Sequence, residues 1–373
     1  MSHAPLRVVI CGAGVIGAAL AYYLSQRGVA ATVVERHEVA GAASGKAGGF
    51  LALDWCDGSP LSALARTSFT LHAQLPHTLG VDYGYRRLTT LAVAAPAHGG
   101  RGPARLTVDD LAWLDGSGVA YRVLGTPTTT AQVHPEKFTR ALLHAALARG
   151  AQLRIGCVQG LEVQRGQVCG VRVDGEIFPA DVVVIAMGPW SGVAAEWAPI
   201  PPVMGLKGHS ITMRPMAPIP AQALFVTYVT ETGEQLEPEV YPRPDGEVYL
   251  CALSDMSPLP TSPELVQPRP EAGPLLQRIA GTLSSALTGL QPQRVQACYR
   301  PVTEDGLPFL GRVPGVTGAY IATGHSCWGI LNAPASGLAM AELIVDGEAR
   351  SVDLTPFDPQ RALAVRHRRV VSQ

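Results

Sequence analysis

The chain has 373 residues, of which 47% are hydrophobic and 16% are charged, so it can form a large buried core and is not a disordered chain. At roughly 150 residues per domain, this length predicts two domains or one large one. Its 29 Lys and Arg residues balance 30 Asp and Glu residues, which excludes the strongly positive surface typical of nucleic-acid binding. Seven scattered cysteines without a C-x-x-C pair support neither a disulfide framework nor a zinc ribbon, and we predict a reducing, cytoplasmic location and no bound metal.

The first 35 residues predict one strand–helix–strand unit. Residues 6–11 are rich in β-branched side chains, residues 12–17 form a glycine loop, residues 18–27 are typical of a helix, and residues 31–35 are typical of a second buried strand. The apolar run from residue 8 to residue 24 has 17 residues, fewer than the roughly 20 that a membrane span needs. We therefore expect no membrane association.

The rest of the chain alternates between α/β and antiparallel patterns. In chain order we predict a small-residue loop at 41–49, helices at 61–79 and 138–149, a meander at 158–178, a strand at 181–186, a hairpin at 240–251, a strand at 319–323, a loop at 324–329 and a helix at 330–345. Two proline-rich segments, 199–220 and 258–274, are predicted to be crossings or surface connections, because proline is excluded from central strands. This order predicts two lobes, with the nucleotide-binding lobe assembled from separate pieces of chain.

The glycine loop has the spacing Gly12-x-Gly14-x-x-Gly17 and lies between a predicted strand and a predicted helix. Gly12 permits the tight turn, Gly14 lets backbone N–H groups approach a pyrophosphate, and Gly17 lets the helix pack close to the strand. Glu35, at the end of the next strand, can accept the ribose hydroxyls. This context favours a dinucleotide site over the alternative of a purely structural turn.

The small-residue loop helps to choose between dinucleotides. It begins within ten residues of Glu35 and includes residues 42–50, where a nicotinamide-binding fold would continue with a long helix and strand. Such a loop lets the backbone pass close to a second planar ring system, which favours FAD. A nicotinamide dehydrogenase remains the alternative.

Five separated segments resemble the FAD-dependent amine and amino-acid oxidases, the family that includes glycine oxidase, sarcosine oxidase and D-amino-acid oxidase. They are ICGAGVIGAALAYYL with VVER, ASGKAGGFL, AMGPWSG, PVMGLKGHS, and the C-terminal pair CYRPVTEDGLPFLG and GHSCWGILNAPASG. The resemblance implies an α/β fold with a Rossmann-type FAD-binding domain and a second, mostly antiparallel substrate domain. We expect the first domain at 1–82, 135–203 and 298–373, and the second at 83–134 and 204–297.

The resemblance also implies which positions contact FAD. We expect the cofactor-binding residues to be Gly12, Gly14, Val15, Ile16, Gly17, Glu35, Arg36, Ser44, Gly45, Lys46, Gly48, Gly49, Val158, Gly188, Trp190, Gly324, His325, Gly329 and Ile330. The helix that starts near Ile330 would direct its positive N-terminus toward the flavin and stabilise the negative charge that develops on reduction.

Three residues are candidates for the catalytic site. Arg300 matches the position from which family members clamp a substrate carboxylate, because a guanidinium pairs with a carboxylate bidentately; the alternative is a surface ion pair. His325 is either a general base or simply part of the turn, and we favour the turn because hydride transfer needs no strong base. Trp328 is either a pocket wall or a core residue.

Two cysteines depart from or extend the family pattern. Cys327 lies where glycine oxidase carries a second arginine. Cys298 falls where monomeric sarcosine oxidase attaches its flavin through a thioether, although a cysteine is also a common small buried residue.

The reaction implied by the resemblance is oxidation of the C–N bond of an amino acid or secondary amine. Hydride would pass from carbon to flavin N5, the imine would hydrolyse, and O2 or another acceptor would reoxidise the flavin, giving H2O2 in the case of O2. Lys46 and Lys207 are the candidate cations for oxygen activation. The alternatives are a flavin dehydrogenase for a hydroxy acid or a modified nucleoside, and a flavin-bound protein without turnover. The sequence leaves the oligomeric state open.

Overall fold

The computed structural model describes residues 5–96 and 111–363. Its strands are β1 (Val8–Cys11), β2 (Thr32–Glu35), β3 (Phe50–Ala52), β4 (Arg86–Arg87), β5 (Thr89–Pro96), β6 (Ala120–Gly125), β7 (Thr130–Gln132), β8 (Gln152–Ile155), β9 (Val158–Gln164), β10 (Gln167–Val173), β11 (Glu176–Pro179), β12 (Val182–Ile185), β13 (Met204–Met213), β14 (Gln222–Val229), β15 (Gln235–Leu236), β16 (Glu239–Pro242), β17 (Val248–Asp255), β18 (Arg294–Val302), β19 (Phe309–Arg312) and β20 (Ala319–Thr323). Its α-helices are α1 (Val15–Gln26), α2 (Ala43–Lys46), α3 (Ser62–Leu79), α4 (Pro135–Leu147), α5 (Ala272–Leu283) and α6 (Gly329–Val345).

A six-stranded sheet forms the centre of the first lobe. Its order is β19-β20-β12-β1-β2-β8, and all neighbours are parallel except β19 and β20. β1 and β12 are buried at every position, which explains their uninterrupted apolar sequences. Helix α1 packs against α4 and α6. Gly337 permits the close approach of α6, because a Cβ there would lie 2.6 Å from the backbone of Ala19.

The predicted βαβ unit is confirmed, with one shift. Helix α1 begins at Val15, inside the glycine loop, rather than at residue 18. The amide of Ala18 already donates to the carbonyl oxygen of Gly14 at 2.9 Å, so the second half of the loop is the first helical turn. The apolar run 8–24 is therefore a strand followed by a helix. Of the described residues, one stretch, Ser326–Val345, is long and apolar enough to cross a membrane, and 72% of it is buried inside the protein, as in a core helix.

An eight-stranded sheet forms the second lobe. The order is β18-β13-β17-β16-β14-β5-β6, with β15 paired to β14, and every neighbouring pair is antiparallel except β14 and β5. Helix α5 packs on this sheet and contributes Leu276, Ile279 and Leu283 to its buried core. The predicted domain boundary at residue 298 falls inside β18.

The expectation for the proline-rich segment 199–220 is wrong. Its middle forms β13, a ten-residue strand between β18 and β17. The prolines lie at 199–202 and 215–220, outside β13, so they delimit the strand without interrupting its hydrogen bonds. The second proline-rich segment, 258–274, is mostly irregular and leads into α5.

Two small sheets complete the fold. β9, β10 and β11 form the predicted meander, with Arg165-Gly166 and Asp174-Gly175 in the turns at positive φ. β3, β7 and β4 form a second small sheet, in which β3 directly follows the small-residue loop. The hairpin predicted around Asp245-Gly246 is also confirmed, as β16 and β17.

Candidate active site

A cavity of about 730 Å³ lies between the two large sheets. One side is formed by residues that follow the carboxyl ends of β1, β2 and β12, where strand order reverses on the two sides of β1. Open α/β sheets bind ligands at such reversal points. The other side is formed by residues of β13, β17 and β18.

The glycine loop is closely packed. Gly12 has φ +111°, and a Cβ there would lie 2.4 Å from the carbonyl oxygen of Ala186. A Cβ at Gly17 would lie 2.0 Å from the carbonyl oxygen of Gly12, so this glycine permits the contact between α1 and its loop. Gly14 lines the cavity without a side chain, which leaves the backbone accessible to a ligand.

Two side chains hold the loop in place. The Glu35 carboxylate accepts hydrogen bonds from the amide of Ala13 at 2.8 Å and from the amide of His37 at 3.1 Å. The Ser44 hydroxyl accepts one from the amide of Val15 at 2.9 Å, the first residue of α1. Glu35 therefore lies beside the glycine loop and faces the cavity, as the dinucleotide fingerprint requires.

The small-residue loop connects the two lobes. Tyr249 donates a hydrogen bond from its hydroxyl to the carbonyl oxygen of Lys46 at 2.9 Å, and Arg243 donates to the carbonyl oxygen of Ala47 at 3.2 Å. Lys46 in turn donates from Nζ to the carbonyl oxygen of Ala297 at 3.3 Å. A Cβ at Gly48 would lie 2.3 Å from the ring of Tyr241, so only glycine fits this approach to the sheet.

The C-terminal loop supports the interpretation of His325 as part of a turn. His325 is 4% exposed, its Nε2 lies 3.0 Å from the Ser336 hydroxyl, and burial lowers its pKa to about 3, so the ring is neutral near pH 7. Trp328 lies edge-on to Trp55, with ring centroids 6.5 Å apart, and does not border the cavity. Helix α6 begins next, at Gly329.

Arg300 lies on β18 and lines the cavity. Its Nη2 donates to the Ser254 hydroxyl at 2.5 Å, and its buried Nε has no protein partner. Within residues 5–96 and 111–363, Arg300 forms no ion pair. The guanidinium therefore has no carboxylate partner in this part of the protein, unlike an arginine in a surface ion pair, and it can pair with a charged ligand in the cavity.

Three thiols also line the cavity. Burial raises the pKa of Cys298, partly offset by the positive charges of Lys46 and Arg300, and burial also raises the pKa of Cys251 and of Cys327. All three are free cysteines. Their raised pKa values keep them protonated near pH 7.

Most of the predicted site residues border the cavity. They are Gly12, Gly14, Val15, Ile16, Glu35, Arg36, Ser44, Gly48, Val158, Gly188, Trp190, Arg300, His325, Gly329 and Ile330. Six others lie behind this lining: Gly17, Gly45, Lys46, Gly49, Gly324 and Trp328. Three of these six are glycines at close backbone contacts, because a Cβ would lie within 2.2 Å of a carbonyl oxygen at Gly17, Gly45 and Gly49.

Sequence reasoning missed several polar residues that line the second lobe's side of the cavity, notably Glu234, Glu237, Glu239, Tyr249 and Arg269. Glu239 directly precedes the predicted hairpin. Its position two residues before Tyr241, and therefore on the same face of the strand, is the signal that the sequence offers. Which face of that hairpin borders the cavity depends on strand order in the sheet, which alternation alone does not give.

The residues present fit FAD. The glycine loop leaves room for a pyrophosphate where side chains would block it, Glu35 is placed for a ribose, and the cavity continues to the opposite sheet, past the N-terminus of α6. A parallel sheet with this loop, joined to an antiparallel sheet that closes the cavity, defines the class of flavin-dependent oxidoreductases.

Comparison with known proteins identifies the family. Residues 7–343 match the DAO family, described as FAD dependent oxidoreductase, and the chain belongs to this family. It is 29% identical over 386 residues to the putative oxidoreductase C1F5.03c of Schizosaccharomyces pombe, covering 95% of this chain and 98% of that protein. It is 28% identical to the glycine oxidase of Pseudomonas aeruginosa, again covering 95% and 98%. The crystal structure of glycine oxidase from Geobacillus kaustophilus superposes with a TM-score of 0.80 at 25% identity, covering 95% of this chain and 98% of that one.

Proposed function

We propose that this FAD-dependent enzyme oxidises the C–N bond of an amino acid or a secondary amine that carries a carboxylate. The observation that carries the proposal is Arg300, a guanidinium on the cavity wall that forms no ion pair within the described residues. A guanidinium that faces a cavity without a protein carboxylate beside it can pair with the carboxylate of a ligand through its exposed N–H donors. Relatives named glycine oxidase support the same substrate class.

Each part of the chain has a defined role in this proposal. Gly12, Gly14, Glu35 and Ser44 would hold the ADP half of FAD, and residues around Gly48 would border the ring system. When bound, FAD accepts a hydride from the substrate carbon and passes the electrons to an acceptor. Arg300 would fix the carboxylate and thereby orient the neighbouring C–H bond. The N-terminus of α6 would favour negative charge at the cavity.

Proton transfer needs no strong base from the protein. His325 is neutral and buried against Ser336, and hydride transfer starts from the uncharged amine. The ammonium group of the substrate loses its proton to solvent before hydride transfer, and water afterwards hydrolyses the imine to a carbonyl compound and ammonia or an amine. The site therefore acts by orientation of the substrate rather than by general base catalysis.

We also propose O2 as the acceptor, with Lys46 as the supporting cation. Lys46 belongs to the small-residue loop and its charge acts on the cavity thiol of Cys298, whereas the Lys207 Nζ lies 5.9 Å above the ring of Tyr299. Tyr299 alternates with the cavity-lining Cys298 and Arg300 on β18, so Lys207 is on the opposite face of the sheet.

An anaerobic screen tests the proposal. The FAD-loaded protein is mixed with single amino acids of both configurations, with N-methylated amino acids and with amines that lack a carboxylate, and oxidised flavin absorbance is followed. We expect bleaching by carboxylate-bearing amines, and H2O2 after O2 is admitted. Bleaching by hydroxy acids alone, or by no amine, would overturn the proposal. Bleaching that only an artificial acceptor reverses would replace the oxidase by a dehydrogenase.

A further inference from the structure

The carboxylate of Glu239 lies on the cavity wall and has the opposite charge to Arg300, which lines the same cavity. It is the first residue of β16, it is half-buried, and its Oε2 accepts hydrogen bonds from the Tyr241 hydroxyl at 2.6 Å and from the Cys251 thiol at 3.7 Å. Both donors are neutral groups. Within the described part of the chain, no ion pair includes Glu239 and no hydrogen bond reaches its Oε1.

A partly buried carboxylate without a positively charged partner is energetically unfavourable. Taking a charge out of water is unfavourable unless an opposite charge and hydrogen bonds compensate for it. The two neutral donors orient Oε2 without neutralising it, and burial, together with Glu239, raises the pKa of Tyr241, which keeps that phenol a donor. A cationic ligand group at Oε1 would supply the missing charge.

The positions of Glu239 and Arg300 determine which part of a ligand each can reach. Glu239 pairs with Cys251, Cys251 pairs with Ser210, and Arg300 pairs with Leu206, four residues from Ser210 along β13. Three strand spacings of about 4.8 Å and four residues of about 3.3 Å therefore separate the two backbone positions. Their side chains extend into the same cavity but form no ion pair with each other.

Both charges nevertheless act on the same part of the cavity. Burial raises the pKa of the Cys327 thiol, the positive charge of Arg300 opposes this rise, and the negative charge of Glu239 adds to it. The cavity thus has a positive end and a negative end with Cys327 within range of both. An α-amino group is adjacent to its own carboxylate, so a substrate held by Arg300 presents a more distant group to Glu239.

We propose that Glu239 is a specificity residue that binds a second, cationic nitrogen of the substrate, remote from the carboxylate held by Arg300. The substrate class is then an amino acid with a basic side chain. This inference rests on the proposed function, because it takes the cavity as the substrate site and Arg300 as the carboxylate partner. The chemistry at the reacting C–N bond is unchanged.

Binding of two ligands that lack an α-amino group tests the inference without turnover. The FAD-loaded protein is titrated under anaerobic conditions with 6-aminohexanoate and with hexanoate, and Kd is measured by calorimetry. The ligands share the carboxylate and chain length and differ in the distal ammonium group. We expect 6-aminohexanoate to bind at least about tenfold more tightly. Equal affinities, or binding of neither ligand, would overturn the inference.

Two variants assign the effect to the side chain. Glu239→Gln keeps the shape and the acceptor oxygen but removes the charge, and we expect it to bring the Kd ratio within about twofold of one by weakening 6-aminohexanoate only. Glu231→Gln removes a charge from the connection between β14 and β15, outside the cavity lining, and should keep the wild-type ratio. An equal loss in both variants would show a long-range effect of net charge and would contradict a contact at Glu239.

A turnover measurement separates this inference from the proposed function. In the anaerobic screen, lysine and norleucine of the same configuration are compared in the wild type and in Glu239→Gln. Faster bleaching by lysine that is lost in the variant supports both proposals. Equal bleaching by norleucine and lysine in the wild type supports amine oxidation and contradicts the role of Glu239. Absence of bleaching by every amine contradicts the proposed function itself.

Discussion

The Tyr249 hydroxyl donates a hydrogen bond to the carbonyl oxygen of Lys46 at 2.9 Å, which joins the antiparallel sheet to the small-residue loop of the first lobe. Tyr249 is buried and also lines the cavity. One side chain therefore stabilises the contact between the lobes and shapes the site. The next carbonyl group, that of Ala47, is held in the same way, because Arg243 donates a hydrogen bond to it.

Removing this hydroxyl should weaken both stability and FAD binding. For Tyr249→Phe we expect a loss of about 1–2 kcal/mol in the free energy of unfolding, because a carbonyl acceptor loses its partner, and a higher Kd for FAD. Chemical denaturation measures the free energy of unfolding, and titration of the protein with FAD, monitored by flavin fluorescence, measures the Kd. Tyr228→Phe is the matched control on β14, a buried tyrosine without a described hydrogen bond from its hydroxyl, and should change stability by less than about 0.5 kcal/mol. Equal effects in the two variants would contradict a specific role for the contact.

Substitution of Arg300 should lower activity toward substrates that carry a carboxylate and have much less effect on amines that lack one. We expect Arg300→Ala to lower kcat/KM for amino acids by at least about 100-fold, near 3 kcal/mol, because it leaves a carboxylate without its charged partner. Arg300→Lys should recover part of the loss, since an ammonium supplies charge without the fork. Amines that lack a carboxylate are the internal control. Equal losses for both substrate types would indicate that Arg300 supports the fold rather than the ligand.

The tight turn at Gly12 should be intolerant of a methyl group. In Gly12→Ala the added Cβ would lie 2.4 Å from the carbonyl oxygen of Ala186, in a backbone conformation with φ +111° that alanine rarely adopts. We expect the purified protein to lose most of its flavin absorbance relative to absorbance at 280 nm. Gly160→Ala is the control, because nothing lies within 4 Å of its Cβ. Normal FAD content in Gly12→Ala would contradict the assignment.

Burial of His72 predicts acid sensitivity. Burial lowers its pKa from 6.5 to about 4, so between these values the unfolded chain binds a proton that the folded chain does not. Stability therefore falls as pH drops through this window, by about 2 kcal/mol at pH 5 from this group. The Nε2 of His72 lies within hydrogen-bond distance of the carbonyl oxygens of Ile330 and Leu331, in the first turn of α6; these contacts favour the protonated ring, but burial outweighs them.

The measurement is the difference in melting temperature between pH 7 and pH 5. His72→Leu lowers stability at both values because it removes the contacts to α6, but it should reduce the pH-dependent difference. His77→Leu changes an exposed histidine of the same helix and should leave the difference as in the wild type. An unchanged difference in His72→Leu would contradict the prediction.

FAD should be bound without a covalent bond to Cys298. Burial raises the pKa of this thiol, which disfavours the thiolate that attachment needs. We expect acid precipitation to leave the yellow colour in the supernatant, and Cys298→Ser to retain FAD as the wild type does. A yellow pellet, with a protein mass increased by that of FAD, would show a thioether instead.

Local signals account for the parts of the fold that could be predicted. The βαβ unit, the helix at 61–79, the meander and the last strand–loop–helix each depend on neighbours in sequence, on glycine positions and on hydrophobic periodicity. The sequence does not reveal β13, because prolines on both sides of it give residues 199–220 the composition of a single irregular segment. The resemblance to a family then supplied the arrangement of lobes that periodicity alone does not give.

The residues of the site also fall into two groups, those that a local sequence pattern predicts and those that depend on the tertiary structure. Gly12, Gly14 and Glu35 could be predicted because the fingerprint is contiguous with the strand and helix that form it. Glu239 could not, because its place beside the cavity depends on the order β16-β17-β13-β18 in the sheet. Only β16 and β17 form a hairpin, and the other two pairings join strands that are far apart in sequence. Burial of His325 against Ser336 was likewise beyond the sequence, since the two lie eleven positions apart, the first in a loop and the second in a helix.

The bonds from Tyr249 and Arg243 to the small-residue loop also bear on how the coenzyme enters. The loop is fixed on one side by the antiparallel sheet and on the other by the hydrogen bond between Ser44 and the amide of Val15 at the start of α1, so we expect exchange of FAD to depend on opening of these bonds. By mass action, bound FAD then also stabilises the contact between the lobes, so a cell short of riboflavin would hold a less stable form of this protein.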